Sequence, residues 1–109
     1  HLCLVGASIP SSREVDDDLV AMARYFVDYR GSALAQAGEL RDAIAAGRVT
    51  EAHIVGEIGD VLSGTVPGRL ADDDVTVYKS LGVAAQDLVS ALVVYRHALE
   101  RGLGTAAEL

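Results

Sequence analysis

Two small residues and a hydroxyl follow the first apolar run of the chain. Residues 2–5 are apolar, and Gly6, Ala7 and Ser8 come next, shortly before Pro10. Gly6 and Ala7 leave room for a ligand to approach the backbone, and the Ser8 hydroxyl can hydrogen-bond to it. A short apolar run bounded by Gly and Pro is typical of a strand buried on both faces. Because open α/β sheets bind ligands past the carboxyl ends of their strands, the sequence predicts a binding site at residues 6–8.

The rest of the chain alternates between predicted helices and strands. We expect helices over residues 16–23, 32–36, 39–46, 51–62 and 84–101, and strands over residues 25–28 and 75–78. Acidic residues at the start of the first helix, a Thr cap at position 50, and Gly after three helices support these bounds. The pattern predicts an α/β domain with a mostly parallel sheet. The helix over residues 84–101 is apolar around much of its circumference, so we expect it to contact two surfaces.

Composition and charge exclude some classes of function. The chain has 109 residues, a net charge of -7 and nine scattered basic residues. This charge argues against a nucleic-acid partner, because neutralising phosphates needs clustered Lys and Arg. No apolar run approaches the ~20 residues of a membrane helix, so no membrane partner is expected. Because the chain opens at His1 inside a predicted strand, we expect it to be part of a larger protein.

The remaining reactive side chains have simpler interpretations than catalysis. Cys3 lies within the apolar run and is predicted to be a buried small hydrophobe in a reducing compartment. His53 and His97 have no partners at metal-ligand spacing, so surface or partly packed roles are expected and no metal site is predicted. Glu14 and Asp87 are each expected to cap a helix or form an ion pair. A hydrolase is not expected, because the G-x-S-x-G motif is missing.

Several short motifs follow one another along the chain. The first spans residues 5–10, Val-Gly-Ala-Ser-Ile-Pro, followed by Arg13, Glu14 and an Asp pair. The last spans residues 77–82, Val-Tyr-Lys-Ser-Leu-Gly, and between them lie Phe-Val-Asp at residues 26–28 and Gly-Glu-Ile-Gly-Asp-Val at residues 56–61. In this order the motifs resemble those of the ornithine cyclodeaminase and mu-crystallin family, whose mu-crystallin branch shares Val-Gly-Ala-Ser and Lys-Ser-Leu-Gly.

The resemblance implies an NAD(P)-binding Rossmann domain and a homodimer. By it, residues 1–83 are the second half of the Rossmann domain, and residues 84–109 are a helix and tail that return toward a dimerisation domain. The Gly-rich phosphate turn is missing: no G-x-G-x-x-G occurs, and Gly56 and Gly59 fall inside a predicted helix. The cofactor implied is NAD or NADP.

The resemblance also implies roles for individual residues. The backbone of Val5, Gly6, Ala7 and Ser8 would lie beside the cofactor together with Ser80, and Ser8 and Leu81 would border the substrate. The identity of any catalytic residue stays open.

Three functions follow from this resemblance. The first is a cytoplasmic NAD(P)-dependent oxidoreductase acting on cyclic imines, ketimines or amino acids, the isolated segment being inactive. The second is an ornithine cyclodeaminase, a lyase that uses NAD internally; the third is a non-catalytic small-molecule binding protein. Cyclodeaminases carry an acid at the position of Ser8, and a serine hydroxyl cannot replace a carboxylate in proton transfer near pH 7. Several family members also carry Lys at the position of Ser12. Ser8 therefore favours the oxidoreductase, whereas at Ser12 the contact that this Lys makes to the cofactor in those members is absent.

Overall fold

A four-stranded parallel sheet forms the centre of the structure, a computed structural model that describes residues 1–105 and 107. The strands are β1 (Leu2–Leu4), β2 (Arg24–Val27), β3 (Ile54–Glu57) and β4 (Thr76–Lys79). Their order across the sheet is β1-β4-β2-β3, and every neighbouring pair is parallel. The predicted α/β class with a parallel sheet is therefore confirmed.

Five α-helices connect and flank these strands within the described residues. They are α1 (Asp17–Met22), α2 (Arg30–Gln36), α3 (Gly38–Ala45), α4 (Ile58–Leu62) and α5 (Ala84–Arg101), and a 3-10 turn spans Glu51–His53. Asp16 caps α1 by accepting a hydrogen bond from the Leu19 N–H at 2.9 Å. Gly102 ends α5 in the left-handed conformation, with φ of 62°. Both helix ends agree with the sequence prediction.

The core lies between the sheet and the first three helices. Apolar side chains from α1, α2, α3 and the strands form one cluster, whose fully buried members are Val20, Tyr25, Val27, Ala33, Ala37, Leu40, Ala43 and Val77. β2 and β4 are the two inner strands of the sheet. Alternate residues of β2 point to opposite faces of the sheet, so Tyr25 and Val27 enter this cluster while Phe26 lies on the other face, beside Val61.

The predicted helix over residues 51–62 is wrong. It divides into the 3-10 turn, strand β3 and helix α4. Ile54, Ile58, Val61 and Leu62 fit helical spacing, but the β-branched pair Ile54 and Val55 begins a strand that pairs with β2. Gly56 thus lies in a strand, where a Cβ would meet Val66 Cγ1 at 3.2 Å, and Gly59 lies in the first turn of α4.

The prediction that residues 2–5 are buried on both faces is also wrong, as is the burial of Cys3. Within the part of the chain described, β1 is an edge strand that pairs with β4 alone. Leu4 is buried and Leu2 is half-buried, but the Cys3 thiol between them is exposed because it lies on the uncovered face.

Helix α5 has no buried residue among those described. Large apolar side chains along it, including Leu88, Val89, Val94, Tyr95 and Leu99, are more than half exposed. The helix therefore presents the broad apolar surface expected from its sequence, without a covering partner in the described chain. No helix in the described range has the length and apolar character needed to cross a membrane.

Helix α3 begins at Gly38, where the loop after β1 leaves no room for a side chain. A Cβ on Gly38 would lie 2.1 Å from the Ser12 carbonyl oxygen and 2.9 Å from that of Pro10, both on the loop after β1. We predict that Gly38→Ala lowers the free energy of unfolding by about 2 to 3 kcal/mol, because backbone must move to admit a methyl group. Urea-induced unfolding measures the change. Gly59→Ala is the matched control, since its Cβ meets nothing within 4 Å; equal midpoints for the two variants would contradict the contact.

Candidate functional site

Two turns meet at the carboxyl edge of the sheet. Leu4 and Val27 both pair with Lys79, so β1, β4 and β2 end at the same level. The Ser80 N–H donates to the Leu4 carbonyl at 2.9 Å, and the Asp28 N–H donates to the Lys79 carbonyl at 3.1 Å. The pairing brings together the segments singled out in the sequence. We call residues 5–8 the first turn and residues 80–82 the second turn.

The first turn is hydrogen-bonded to the protein interior on one side and open to solvent on the other. Val5 and Ser8 are exposed, whereas Ala7 is buried. The Gly6 N–H donates to Glu14 Oε1 at 2.8 Å, and the Ala7 carbonyl accepts a hydrogen bond from Lys79 Nζ at 2.6 Å. Among the described residues, the Ser8 hydroxyl has no hydrogen bond. The backbone is therefore anchored from inside while the Ser8 hydroxyl faces solvent.

A buried ion network lies behind the first turn. The Lys79 side chain has no solvent exposure, and its Nζ lies 2.6 Å from Glu14 Oε2 and 3.1 Å from Glu39 Oε1. Glu39 is equally buried and also accepts a hydrogen bond from the Tyr25 hydroxyl at 3.3 Å. Its second oxygen, Oε2, has no hydrogen-bond partner within the described chain. The network joins β4, β2, α3 and the loop after β1.

The network changes the acidity of two of its members. Burial alone would raise the pKa of Glu14, but the hydrogen bonds from Lys79 and from the Gly6 N–H outweigh it and lower that pKa to about 2. Burial, together with the negative charge of Glu39, raises the pKa of Tyr25 well above its usual range. Glu14 is thus a carboxylate and Tyr25 a neutral phenol throughout the range in which proteins work. Neither side chain is free to exchange a proton with a ligand near pH 7.

Asp28 holds the second turn. Its Oδ2 accepts hydrogen bonds from the Leu81 N–H at 2.7 Å, the Gly82 N–H at 2.8 Å and the Ser80 hydroxyl at 3.2 Å. Its Oδ1 accepts one from the Tyr29 N–H at 2.8 Å. A carboxylate bound by several N–H groups is a strong fixed point for a loop. Gly82, with φ of 91° and open space around its Cα, completes a turn that other residues adopt only under strain.

The structure brings the predicted site residues to one edge but gives them different surroundings. Ser8 is exposed and unbonded in the described chain, while the Ser80 hydroxyl donates to Asp28. Leu81 is half-buried and packs against the core, so only part of its side chain faces the edge. Their roles toward a cofactor or substrate stay predictions.

Three charged residues that build this site had no role predicted from the sequence. Asp28, Glu39 and Lys79 are all buried. The available signal was a charged residue directly at the end of an apolar strand, as at Asp28 and Lys79, since such a residue is buried only when it is paired. The predicted ion pair of Glu14 is confirmed. The predicted partly packed role of His53 is also confirmed: its Nε2 lies 2.7 Å from the Val20 carbonyl.

The surroundings of the two turns suit an uncharged group better than a phosphate. Small residues at the edge permit a flat ring to approach the backbone, but the ionised groups nearest the turns include the carboxylates Glu14 and Asp28. The one lysine there, Lys79, is buried and fully engaged. α4 follows β3 directly, and Gly56 of β3 is packed against Val66, so that junction offers no phosphate turn. No cluster of three or more metal-ligating side chains occurs in the described residues.

A parallel sheet with flanking helices, and turns that meet at its carboxyl edge, places the chain in the Rossmann-like class of α/β proteins. The chain belongs to the ornithine cyclodeaminase/mu-crystallin family, whose model matches residues 1–102. The match includes both turns and α5.

Similar proteins include several reductases. The Delta(1)-pyrroline-2-carboxylate reductase of Bacillus cereus is 36% identical over 109 residues, covering 99% of this chain and 34% of that protein. The ketimine reductase mu-crystallin of Mus musculus is 43% identical over 95 residues, covering 87% of this chain and 28% of that protein. The solved Delta(1)-pyrroline-2-carboxylate reductase of Thermococcus litoralis, in complex with NADH and L-proline, has a TM-score of 0.85 and 30% identity over 96% of this chain and 32% of that one. The chain thus spans about a third of the length of the relatives it matches.

We predict that Asp28→Asn destabilises the second turn. An amide has one accepting oxygen and one donating nitrogen, so in either orientation at least one backbone N–H loses its acceptor. The free energy of unfolding should fall by roughly 2 kcal/mol, the typical cost of leaving a buried donor unpaired. Urea-induced unfolding is the measurement. Asp18→Asn is the control, because Asp18 is 77% exposed in its pair with Arg48 and should cost no more than about 0.5 kcal/mol. Equal effects would contradict the role of Asp28.

The lowered pKa of Glu14 predicts a pH-dependent stability. The ionised carboxylate stabilises the fold fully above its ordinary pKa of 4.5, and this contribution is lost as the pH falls toward about 2. The difference in unfolding free energy between the wild type and Glu14→Gln should therefore be largest at neutral pH and shrink between pH 4.5 and about 2. Urea titrations at several pH values measure it. A difference that stays constant over this range would show that the partners of Glu14 do not lower its pKa in the folded protein.

Proposed function

We propose that the protein carrying this chain is an NAD(P)-dependent oxidoreductase that reduces cyclic imines or ketimines. The observation that carries the proposal is the pair of anchored turns at the carboxyl edge, with small residues and a free hydroxyl on the open side. The names of similar proteins, which include pyrroline-2-carboxylate and ketimine reductases, support the same class of reaction.

The proposal gives each predicted site residue a role. The backbone of the first turn, from Val5 through Gly6 and Ala7 to Ser8, lies beside the nicotinamide, and Ser80 borders the same group. A bound nicotinamide supplies the hydride. The cofactor is NAD or NADP, and the NADH bound to the similar Thermococcus litoralis reductase supports this assignment.

On the substrate side we assign Ser8 and Leu81. The exposed Ser8 hydroxyl can donate to a carboxylate or hold a water that exchanges a proton with the substrate nitrogen. The half-buried Leu81 side chain offers a fixed apolar contact beside it. The substrate is a small imine, amino acid or keto acid.

The state of the two carboxylates at the edge favours a reductase over a cyclodeaminase. Glu14 is tied to Lys79 and Asp28 to the second turn, so both lack the freedom to shuttle protons to a substrate. Within the described residues, the position after β1 holds Ser8 in place of a third carboxylate. A hydroxyl there suits binding and water placement, as imine reduction requires.

We also propose that residues 84–109 form a segment separate from the domain of residues 1–83, that this segment returns toward a dimerisation domain, and that the whole protein is a homodimer. The exposed apolar side chains of α5 support this, since such a surface is usually covered by a partner. We further propose a cytoplasmic location, where the exposed Cys3 thiol stays reduced.

The test uses the whole protein as its gene encodes it. Incubation with a cyclic imine such as pyrroline-2-carboxylate and NADH or NADPH should oxidise the cofactor in a one-to-one ratio with amino acid formed, followed by absorbance and chromatography. Release of ammonia from ornithine without net cofactor consumption would identify the lyase. Tight binding of these compounds without turnover would identify a binding protein. Either result would overturn the proposed reductase.

Ser8→Ala tests the role of the hydroxyl. We predict that kcat/KM for the imine falls about tenfold, the cost of one hydrogen bond to the substrate. Ser63→Ala, which removes an exposed hydroxyl in the turn after α4, is the control and should leave kcat/KM unchanged. If Ser8→Ala matches the control, Ser8 has no part in the reaction.

A further inference from the structure

Lys79 lies directly behind the first turn without reaching its open side. Its ammonium group has no solvent exposure, and its contacts are the Ala7 carbonyl, Glu14 and Glu39. The proposed ligand lies on the other side of the turn. Lys79 therefore cannot touch a cofactor or substrate, and any effect it has on the reaction passes through the backbone.

Lys79 and Glu14 together fix both peptide groups that flank Gly6 and Ala7. The Gly6 N–H belongs to the peptide between Val5 and Gly6, and it donates to Glu14 at 2.8 Å. The Ala7 carbonyl belongs to the peptide between Ala7 and Ser8, and it accepts from Lys79 at 2.6 Å. The ion pair of 2.6 Å between the two side chains sets the distance between these anchors. Because the peptide between Ala7 and Ser8 includes the Ser8 nitrogen, its orientation also fixes the position of the Ser8 backbone.

Without these anchors the turn would have many conformations available. Gly6 has no Cβ to restrict its backbone, and Val5 is 63% exposed, so packing restrains the turn only at the buried Ala7. A Cβ on Gly6 would come within 3.1 Å of Glu14 Oε1, so the carboxylate occupies the space next to the glycine. The bonds from Glu14 and Lys79 are thus the main restraint on the part of the turn that faces the site.

Stability alone gives a weak reason for a lysine at this position. Removing an ammonium group from water is costly, and apolar residues of similar volume often replace buried ion pairs without loss of stability. Glu39 adds to the cost, since its Oε2 is buried without a partner in the described chain. The hydrogen bond to the Ala7 carbonyl is what an apolar side chain could not supply.

We infer that Lys79 is a positioning residue of the proposed nicotinamide site, acting through the Ala7 carbonyl and Glu14 to hold the first turn in its ligand-binding conformation. The inference rests on the proposed function. It assigns Lys79 an effect on the alignment of the nicotinamide with the substrate and none on the adenine end of the dinucleotide.

The experiment compares Lys79→Met with the double variant Lys79→Met/Glu39→Gln in the whole protein. The single variant leaves Glu39 as an unpaired buried charge and should be less stable. The double variant removes that charge and should recover the unfolding midpoint toward the wild type. In both the single and the double variant, kcat should fall by about 10- to 100-fold, because a misplaced reacting group lowers the rate by up to about this factor. The Kd for ADP-ribose, which lacks the nicotinamide, should stay within about twofold of the wild type. A merely structural role would instead restore kcat along with stability.

Two further variants make the result decisive. Arg48→Met removes a cation from an exposed ion pair and should change neither kcat nor the Kd for ADP-ribose. Glu14→Gln keeps the shape of the other anchor and should lower kcat below that of the wild type, though by less than the double variant does. If Lys79→Met fails to fold, an unchanged kcat in Glu14→Gln overturns the inference. If the wild type is active and the well-folded double variant retains full kcat, the inference is overturned. If the wild type neither binds NADH nor reduces imines, the proposed function fails and this inference with it.

Discussion

A single buried ammonium group connects the parts of the chain that form the candidate site. Lys79, at the end of β4, binds Glu14 on the loop after β1, Glu39 at the start of α3, and the Ala7 carbonyl. Two carboxylates around one lysine compensate its charge, and burial makes each interaction stronger than it would be in water. The same burial makes the group dependent on its partners, because an unpaired charge there would cost several kcal/mol. The first turn, the sheet and α3 are therefore held together as one unit.

Asp28 performs the corresponding task for the second turn. It accepts the N–H groups of Leu81 and Gly82, while the neighbouring strand ends fix its own position. Both turns are thus anchored from the protein interior by ionised side chains, and their open sides carry small or neutral residues. A ligand at this edge meets preformed backbone, which reduces the entropy lost on binding. This arrangement suits a flat, uncharged ring such as a reduced nicotinamide.

Much of the fold followed from local patterns, and the failures have specific causes. Helix α5 was predicted because its apolar residues recur at helical spacing over a long stretch that ends at a Gly. The strand before it was predicted because its short apolar run is also followed closely by a Gly. Residues 51–62 were mispredicted because Ile54 and Ile58 satisfy helical spacing, whereas pairing with β2 decides the outcome. Cys3 is exposed because it lies on the uncovered face of β1, which is an edge strand in the described chain. The position of a strand in the sheet depends on strand order, which a local pattern does not reveal. The partnership of Lys79 with Glu14 and Glu39 joins positions far apart in sequence, so no local pattern encodes it.

The proposed function requires that the first turn forms the wall of a nicotinamide site. NMR spectroscopy of the isotopically labelled whole protein, titrated with NADH, tests this most directly. We expect saturable shifts of the backbone amide signals of Gly6, Ala7, Ser8 and Gly82, with the β3–α4 junction at residues 56–59 unaffected. Shifts confined to that junction, or to α5, with the first turn unchanged, would contradict it.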